Sequence, residues 1–413
     1  MQPRSQSTAI LGGAVSGLAV AHRLSRLDRF DDITVFERQD YNDRRVNCGE
    51  AINEAPLIPL DHTPGNGFVN DVEGFELRIF SGMDRSPDEA PLSIARFPCA
   101  AGYICERDVV ERRWAESLGG CGVQFETGTA VSREAYRAIV SEHDYVVDAT
   151  GEPALTLKAN NAVDNYTGRM IALNATVEGD FSTYRRWPRI FFEGYLGYSW
   201  SFPKSDRHAN VGIGWAGEQR PEHYVTALQE AARRNGFTVP DRSDINIYTI
   251  PRGPSLAPQY VSSPADRVFL VGDAAGIANR YQGEGICQGV RSAYLLGDLI
   301  ETNQEAAYPE RLYELMKPEY RLASIMRSAW VEHEDPELIA AIADAIDGLS
   351  IEAITRSPSR VLGRLMRHPA VAFRLFADPG VLRHVLRAYT DRWEYESGAG
   401  NRSTDKQGEC LEA

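Results

Sequence analysis

Three features of the 413-residue sequence predict an α/β fold. A glycine turn between two short apolar strands opens the chain, strand-like runs separated by turns fill its middle, and helical periodicity takes over after residue 303. Together they predict a Rossmann-like nucleotide-binding domain assembled from residues 1–60, 96–155 and 265–302, and an antiparallel-sheet domain from 61–95 and 156–264. A C-terminal helical region over 303–395 and a disordered tail at 396–413 complete the division.

The first unit is "STAIL" (7–11), the turn Gly12-Gly13-Ala14-Val15-Ser16-Gly17, a helical run from Leu18 to Leu27, and the strand "DITVFER". Glu37 in that strand lies twenty residues after Gly17, where a dinucleotide fold places the acid that holds the ribose hydroxyls. The first turn of the helix offers its N–H groups to a pyrophosphate. Ala14 stands where the middle glycine of G-x-G-x-x-G is expected, so slightly displaced phosphates are expected there. Two later strands end in small residues: "DYVVDATGEP" (144–153) in Ala149, Thr150 and Gly151, and "DRVFLVGDAAG" (266–276) in Gly272 and Asp273. Asp273 is either a ligand contact or a helix cap. Gly283 and Gly285 permit close backbone approach to a ligand just before the next helix.

Composition narrows the partners. A formal net charge of −14 argues against nucleic acid. The six cysteines include no C-x-x-C pair, so no metal site is expected. No apolar run reaches the roughly 18 residues of a membrane span, and a soluble, cytoplasmic chain with reduced thiols is expected.

The stretch "GYSWSFPKSDRHANVGIG" (197–214) alternates, which puts Tyr198, Trp200 and Phe202 on one face of a strand and Ser199 and Ser201 on the other. Such a stripe either packs in the core or forms the wall of a ligand site.

The strand-end signatures resemble those of the FAD-dependent oxidoreductases of the glutathione-reductase-like class. Within it, residues 7–300 resemble the geranylgeranyl reductase family, on four stretches. Tyr198, Trp200, Phe202, Pro203, Gly212 and Gly214 match its Y-x-W-x-F-P motif followed by G-x-G. "NCGEAI" (47–52) matches its Cys-Gly segment, and Arg107 matches the arginine of R-x-x-F-D, with Val110-Glu111 in place of Phe-Asp. The fourth is Gly-Asp-Ala-Ala-Gly at 272–276, after which the usual proline is missing and Asn279-Arg280-Tyr281 takes its place. The resemblance implies FAD held by Gly12, Gly13, Ala14, Val15, Ser16, Gly17, Glu37, Arg38, Gly49, Arg107, Ala130, Ala149, Thr150, Gly151, Gly272, Asp273, Gly283, Gly285 and Ile286, with Asp273 on the ribityl chain. It implies an isoprenoid or prenyl-lipid substrate against Tyr198, Trp200 and Phe202, and NAD(P)H or ferredoxin as electron donor.

An isolated C=C has no carbonyl to absorb hydride charge, so a proton donor must stand close. Cys48 is the expected donor and Glu50 the second, the alternative for Cys48 being a structural thiol. A flavin monooxygenase or halogenase is the competing enzyme reading, and a non-catalytic flavin sensor or scaffold the competing class. Arg364, Arg367, Arg374, Arg383 and Arg387 make the last helical stretch basic. That stretch is either a solvated cap or a peripheral membrane contact.

Overall fold

The computed structural model describes residues 6–215, 221–333 and 335–390. The expected tail at 396–413 lies outside these residues. Strands and helices are numbered in chain order. One sheet contains β1 (Gln6–Leu11), β2 (Phe30–Glu37), β6 (Gln124–Thr127), β7 (Tyr145–Asp148), β13 (Ser262–Ser263) and β14 (Val268–Leu270). Their spatial order is β13-β14-β7-β1-β2-β6, parallel throughout except for the β13–β14 pair. Central β1 is apolar on both faces, with Ala9, Ile10 and Leu11 fully buried, as a strand covered on both sides by helices requires.

Chain order reverses beside β1, since β2 and β6 lie to one side and β7 and β14 to the other. Ligands of open α/β sheets bind outside the carboxyl ends of the strands at such a reversal. Here those ends are Leu11 before the glycine turn, Glu37, Asp148 before Ala149-Thr150-Gly151, and Leu270 before Gly272-Asp273. One sheet edge therefore collects the motifs that the sequence spreads over 260 residues.

The second sheet contains β3 (Ala51–Ile52), β4 (Phe68–Ile79), β5 (Ser93–Cys105), β8 (Arg169–Glu178), β9 (Arg189–Phe192), β10 (Gly197–Pro203), β11 (His208–Trp215) and β12 (Asn246–Pro251). Its order is β12-β8-β11-β10-β9-β4-β5-β3. The pairs are antiparallel save β4 with β9. β5 runs unbroken through the expected boundary between residues 95 and 96 and stays in this sheet to Cys105. The ladder with β4 is long enough to carry the strand past Pro98, where the register shifts between Val72 and Gly74.

The helices are α1 (Val15–Leu24), α2 (Arg107–Gly119), α3 (Arg133–Glu142), α4 (Leu155–Ala159), α5 (Tyr224–Arg234), α6 (Ile286–Glu301), α7 (Tyr308–His333), α8 (Pro336–Ile346), α9 (Ile351–Arg356), α10 (Pro358–Leu365), α11 (Pro369–Phe376) and α12 (Pro379–Tyr389). α1 and α6 pack together on the first sheet, whereas α8 and α9 lie on β5 of the second. The C-terminal helices thus roof the second sheet.

Candidate functional site

The end of the site expected to hold the nucleotide is built by close backbone approaches. A Cβ on Gly17 would stand 1.9 Å from the Gly12 carbonyl oxygen, and one on Gly12 would stand 2.4 Å from that of Ala149. Gly12 also has φ +96, a conformation that glycine adopts without strain. Ala14 is different: at φ −78 and ψ −178 it tolerates its methyl group. Ser16 is the junction, because a Cβ on Gly272 or Gly289 would lie 2.3 or 2.2 Å from its Oγ. The glycine turn, the Gly272-Asp273 turn and α6 therefore meet at one hydroxyl. Gly17→Ala should disrupt the turn, and a variant with wild-type melting temperature would refute the tight approach.

Glu37 accepts hydrogen bonds from the Gly13 N–H at 2.7 Å and the Gln39 N–H at 2.9 Å, and pairs with Arg44 at 3.2 Å. A carboxylate has about four acceptor sites, which leaves room for a ribose hydroxyl. Arg44 and Arg107 both engage the fully buried Glu111. Burial alone would push Glu111 up, but Arg107 and Arg44 pull it below its ordinary value. Glu111 thus fixes Arg107, a role that only the tertiary structure exposes.

Neither α1 nor α6 has a side-chain cap at its N-terminus. Their first-turn N–H groups face the junction without an internal acceptor, which suits the phosphates and the pyrimidine edge of a flavin dinucleotide. Asp273 lies beside Gly285, and burial pushes its carboxyl up to about 6. Of the expected cofactor contacts, Arg38 and Ala130 are exposed just beyond the ends of β2 and β6.

A cavity of about 240 Å³ opens between the second sheet and the roof helices. Phe75, Ile79, Phe97, Ile190 and Phe192 line the sheet side, and Ile339, Ile342, Ile346, Ile351 and Ile354 line the helix side. Tyr198, Trp200 and Phe202 border it together with Cys48, Gly49 and the Gln282–Ile286 loop. Trp200 and Tyr198 lie opposite Gly212 and Gly214 on β11. A Cβ on Gly212 would stand 2.1 Å from the Trp200 ring, so this glycine makes the space in which the indole lies. The opposite face carries Ser199, bonded to Glu193, and Ser201, bonded to Tyr184.

Cys48 stands where the cavity meets the nucleotide end. Its sulfur receives the Glu50 N–H at 3.2 Å and a hydrogen bond from the Arg107 side chain. Its carbonyl accepts from Asn174 and Asn210 at 3.0 and 2.8 Å. Asn210 in turn accepts the Trp200 indole N–H at 3.0 Å, so the aromatic wall and the Cys48 loop are mechanically joined. Glu50, buried with φ +64, accepts from Lys204 at 2.6 Å, Asn210 at 3.0 Å and the Arg107 N–H at 3.2 Å.

Sequence reasoning missed Glu284. It borders the cavity from the loop before α6, and burial, with the charge of Glu319, pushes its carboxyl up to about 7. The signal available was a lone acid between Gly283 and Gly285. Asn174 and Asn210 were also legible as polar residues in the buried phase of strands. Tyr281, in the segment that replaces the expected proline, stacks on Phe192 at 6.1 Å and closes one side of the cavity. Asn279 sets that turn, its side-chain oxygen accepting the Tyr281 and Gln282 N–H groups.

This fold and site define a flavin-dependent oxidoreductase. Digeranylgeranylglycerophospholipid reductase of Methanospirillum hungatei JF-1 is 32% identical over 323 residues, 72% of this chain and 76% of that protein. The chain belongs to the geranylgeranyl reductase family. Its fold is shared with a geranylgeranyl bacteriochlorophyll reductase-like protein from Thermoplasma acidophilum, at TM-score 0.65 and 18% identity, covering 90% of this chain and 98% of that one. The flavin-dependent halogenase CmlS has the same fold at TM-score 0.58 and 15% identity, over 89% of this chain and 70% of the halogenase. No family model matches.

Proposed function

We propose that this enzyme binds FAD and saturates C=C bonds of a geranylgeranyl-type chain on a prenyl lipid. The observation that carries this reading is the apolar cavity, lined by aromatic and isoleucine side chains, that ends at Cys48 and the Gly283–Gly285 loop. Bound reduced flavin supplies the hydride. The protein's part is to exclude water, hold the chain against the rings of Tyr198, Trp200 and Phe202, and deliver a proton to the carbon opposite the hydride.

Cys48 is suited to that delivery, because its thiol stands where the cavity meets the other end of the site, held by the Glu50 N–H and the Arg107 side chain. Glu50 is less suited, since three donors already converge on its carboxylate and give it the acceptor's part. Glu284 is the second donor. Denaturation of the yellow protein should release FAD, and chemically reduced enzyme incubated without oxygen should add two hydrogens per bond to a digeranylgeranyl lipid. The electron donor would be NAD(P)H or ferredoxin. Oxygen consumption coupled to substrate, with no saturated product, would favour a monooxygenase or halogenase instead.

Glu284 also gives a pH test. Burial and the neighbouring Glu319 charge raise its folded-state pKa to about 7, above the ordinary carboxylate range. The native state therefore binds the extra proton, and the resulting stability is full below the unfolded pKa and lost as pH rises through the folded one. Glu284→Gln should raise stability at pH 8 relative to pH 4, by at most on the order of 3 kcal/mol. Equal effects at both pH values would refute the raised carboxyl. Asp273, also raised by burial, is common to both proteins and cancels in the comparison.

A further inference from the structure

We propose that the outward face of α10–α12 docks the enzyme on an anionic bilayer surface, a proposal that rests on the prenyl-lipid reading above. Eleven large apolar side chains stand out as exposed among the described residues, and six of them fall between residues 362 and 389. These are Leu362, Met366, Phe373, Leu382, Leu386 and Tyr389, with Phe373 75% and Leu386 65% exposed. On α12, Leu382, Leu386 and Tyr389 follow helical spacing and form one stripe. Isolated exposed leucines need no explanation, but a cluster on three consecutive helices does.

Charge selects the occupant. Residues 358–390 contain six arginines and one acid, Asp378, in a chain whose formal net charge is −14. Arg360, Arg367, Arg374, Arg383 and Arg387 are exposed among the apolar residues, Arg374 being paired with Asp335. Apolar side chains interleaved with guanidinium groups match an interface where acyl chains lie beneath anionic headgroups. No helix among the described residues is long and apolar enough to cross a membrane, so the contact is with the surface.

α10 turns its other side to the substrate cavity, and α11 and α12 pack their inner sides into the adjoining core. Val361 lines the cavity while its neighbour Leu362 faces outward, and Leu365, Leu375 and Val381 are buried. A lipid leaving the bilayer beneath this face therefore starts one helix thickness from the cavity.

The test is flotation of the full chain with phosphatidylglycerol-rich vesicles and with pure phosphatidylcholine vesicles. Wild-type protein should float with the former and far less with the latter. Phe373→Asp with Leu386→Asp should abolish binding, and Arg360→Gln with Arg367→Gln should weaken it about 30-fold, flavin content and melting temperature staying at wild-type values. Failure of the wild type to float with phosphatidylglycerol-rich vesicles would overturn the proposal. So would a dimer in sedimentation velocity that Phe373→Asp dissociates without any flotation, which would assign the face to a second copy of the chain. Flotation needs no turnover, so a protein that floats but reduces no polyprenyl lipid refutes the functional reading and leaves the docking face standing.

Discussion

Cys48→Ala should slow single-turnover oxidation of the reduced flavin by a polyprenyl lipid about 10²–10⁴-fold, the range typical for loss of a positioned general acid. Flavin content should not change, because the backbone of Cys48, not its sulfur, is tied to Asn174 and Asn210. Cys48→Ser distinguishes acid from spacer. A hydroxyl keeps the contacts to the Glu50 N–H and Arg107 but is a far weaker acid, so its rate should stay low. The double comparison with Glu284→Gln decides which group gives the proton. If Glu284 gives it, the wild-type rate should fall as pH rises through about 7, where its carboxyl loses its proton. Glu284→Gln would then be slow at every pH. Wild-type rates in Cys48→Ala would reduce Cys48 to a structural thiol.

Trp200→Ala should lower the same rate by about 100-fold or more, since hydride transfer demands contact distance and a shift near 1 Å already costs that much. Two effects combine. The indole is part of the wall against which the chain lies, and its N–H holds Asn210, which holds the Cys48 carbonyl. A tryptophan packed on all sides would cost about 3–5 kcal/mol on truncation. Here the ring borders an existing cavity, so the stability loss should fall at or below the lower end. A large melting loss with unchanged turnover in the folded fraction would make the stripe a core element only. Thermal unfolding and single-turnover kinetics on the same preparation separate the outcomes.

The helical region was legible as helices but not as a wall. Its periodicity marks α7 to α12, yet nothing in the run "PELIAAIADAI" says that Ile339, Ile342 and Ile346 face a cavity and not a solid core. The two faces of a helix are set by its spacing; what each face meets is set by packing. The boundary near residue 95 was hidden for a similar reason, because the β4–β5 ladder is a long-range pairing with no local mark at its end.

The sequence by itself determined one edge of the first sheet. Gly12, Glu37, Ala149, Gly272 and Asp273 each follow or end a short apolar strand, and right-handed crossovers in a parallel sheet leave such strand ends on one edge. Alternation likewise determined that Tyr198, Trp200 and Phe202 share a face. The tertiary structure alone decided that this face borders a cavity, that Glu50 is bound by Lys204 and Asn210, and that Glu284 is a half-buried acid beside the site whose carboxyl is pushed up. Those facts depend on segments far apart in sequence meeting, Glu50 with Asn210 160 residues further on, and on how far water is excluded where they meet. Spacing along a chain carries local geometry; burial and charge pairing arise only when distant segments share one environment.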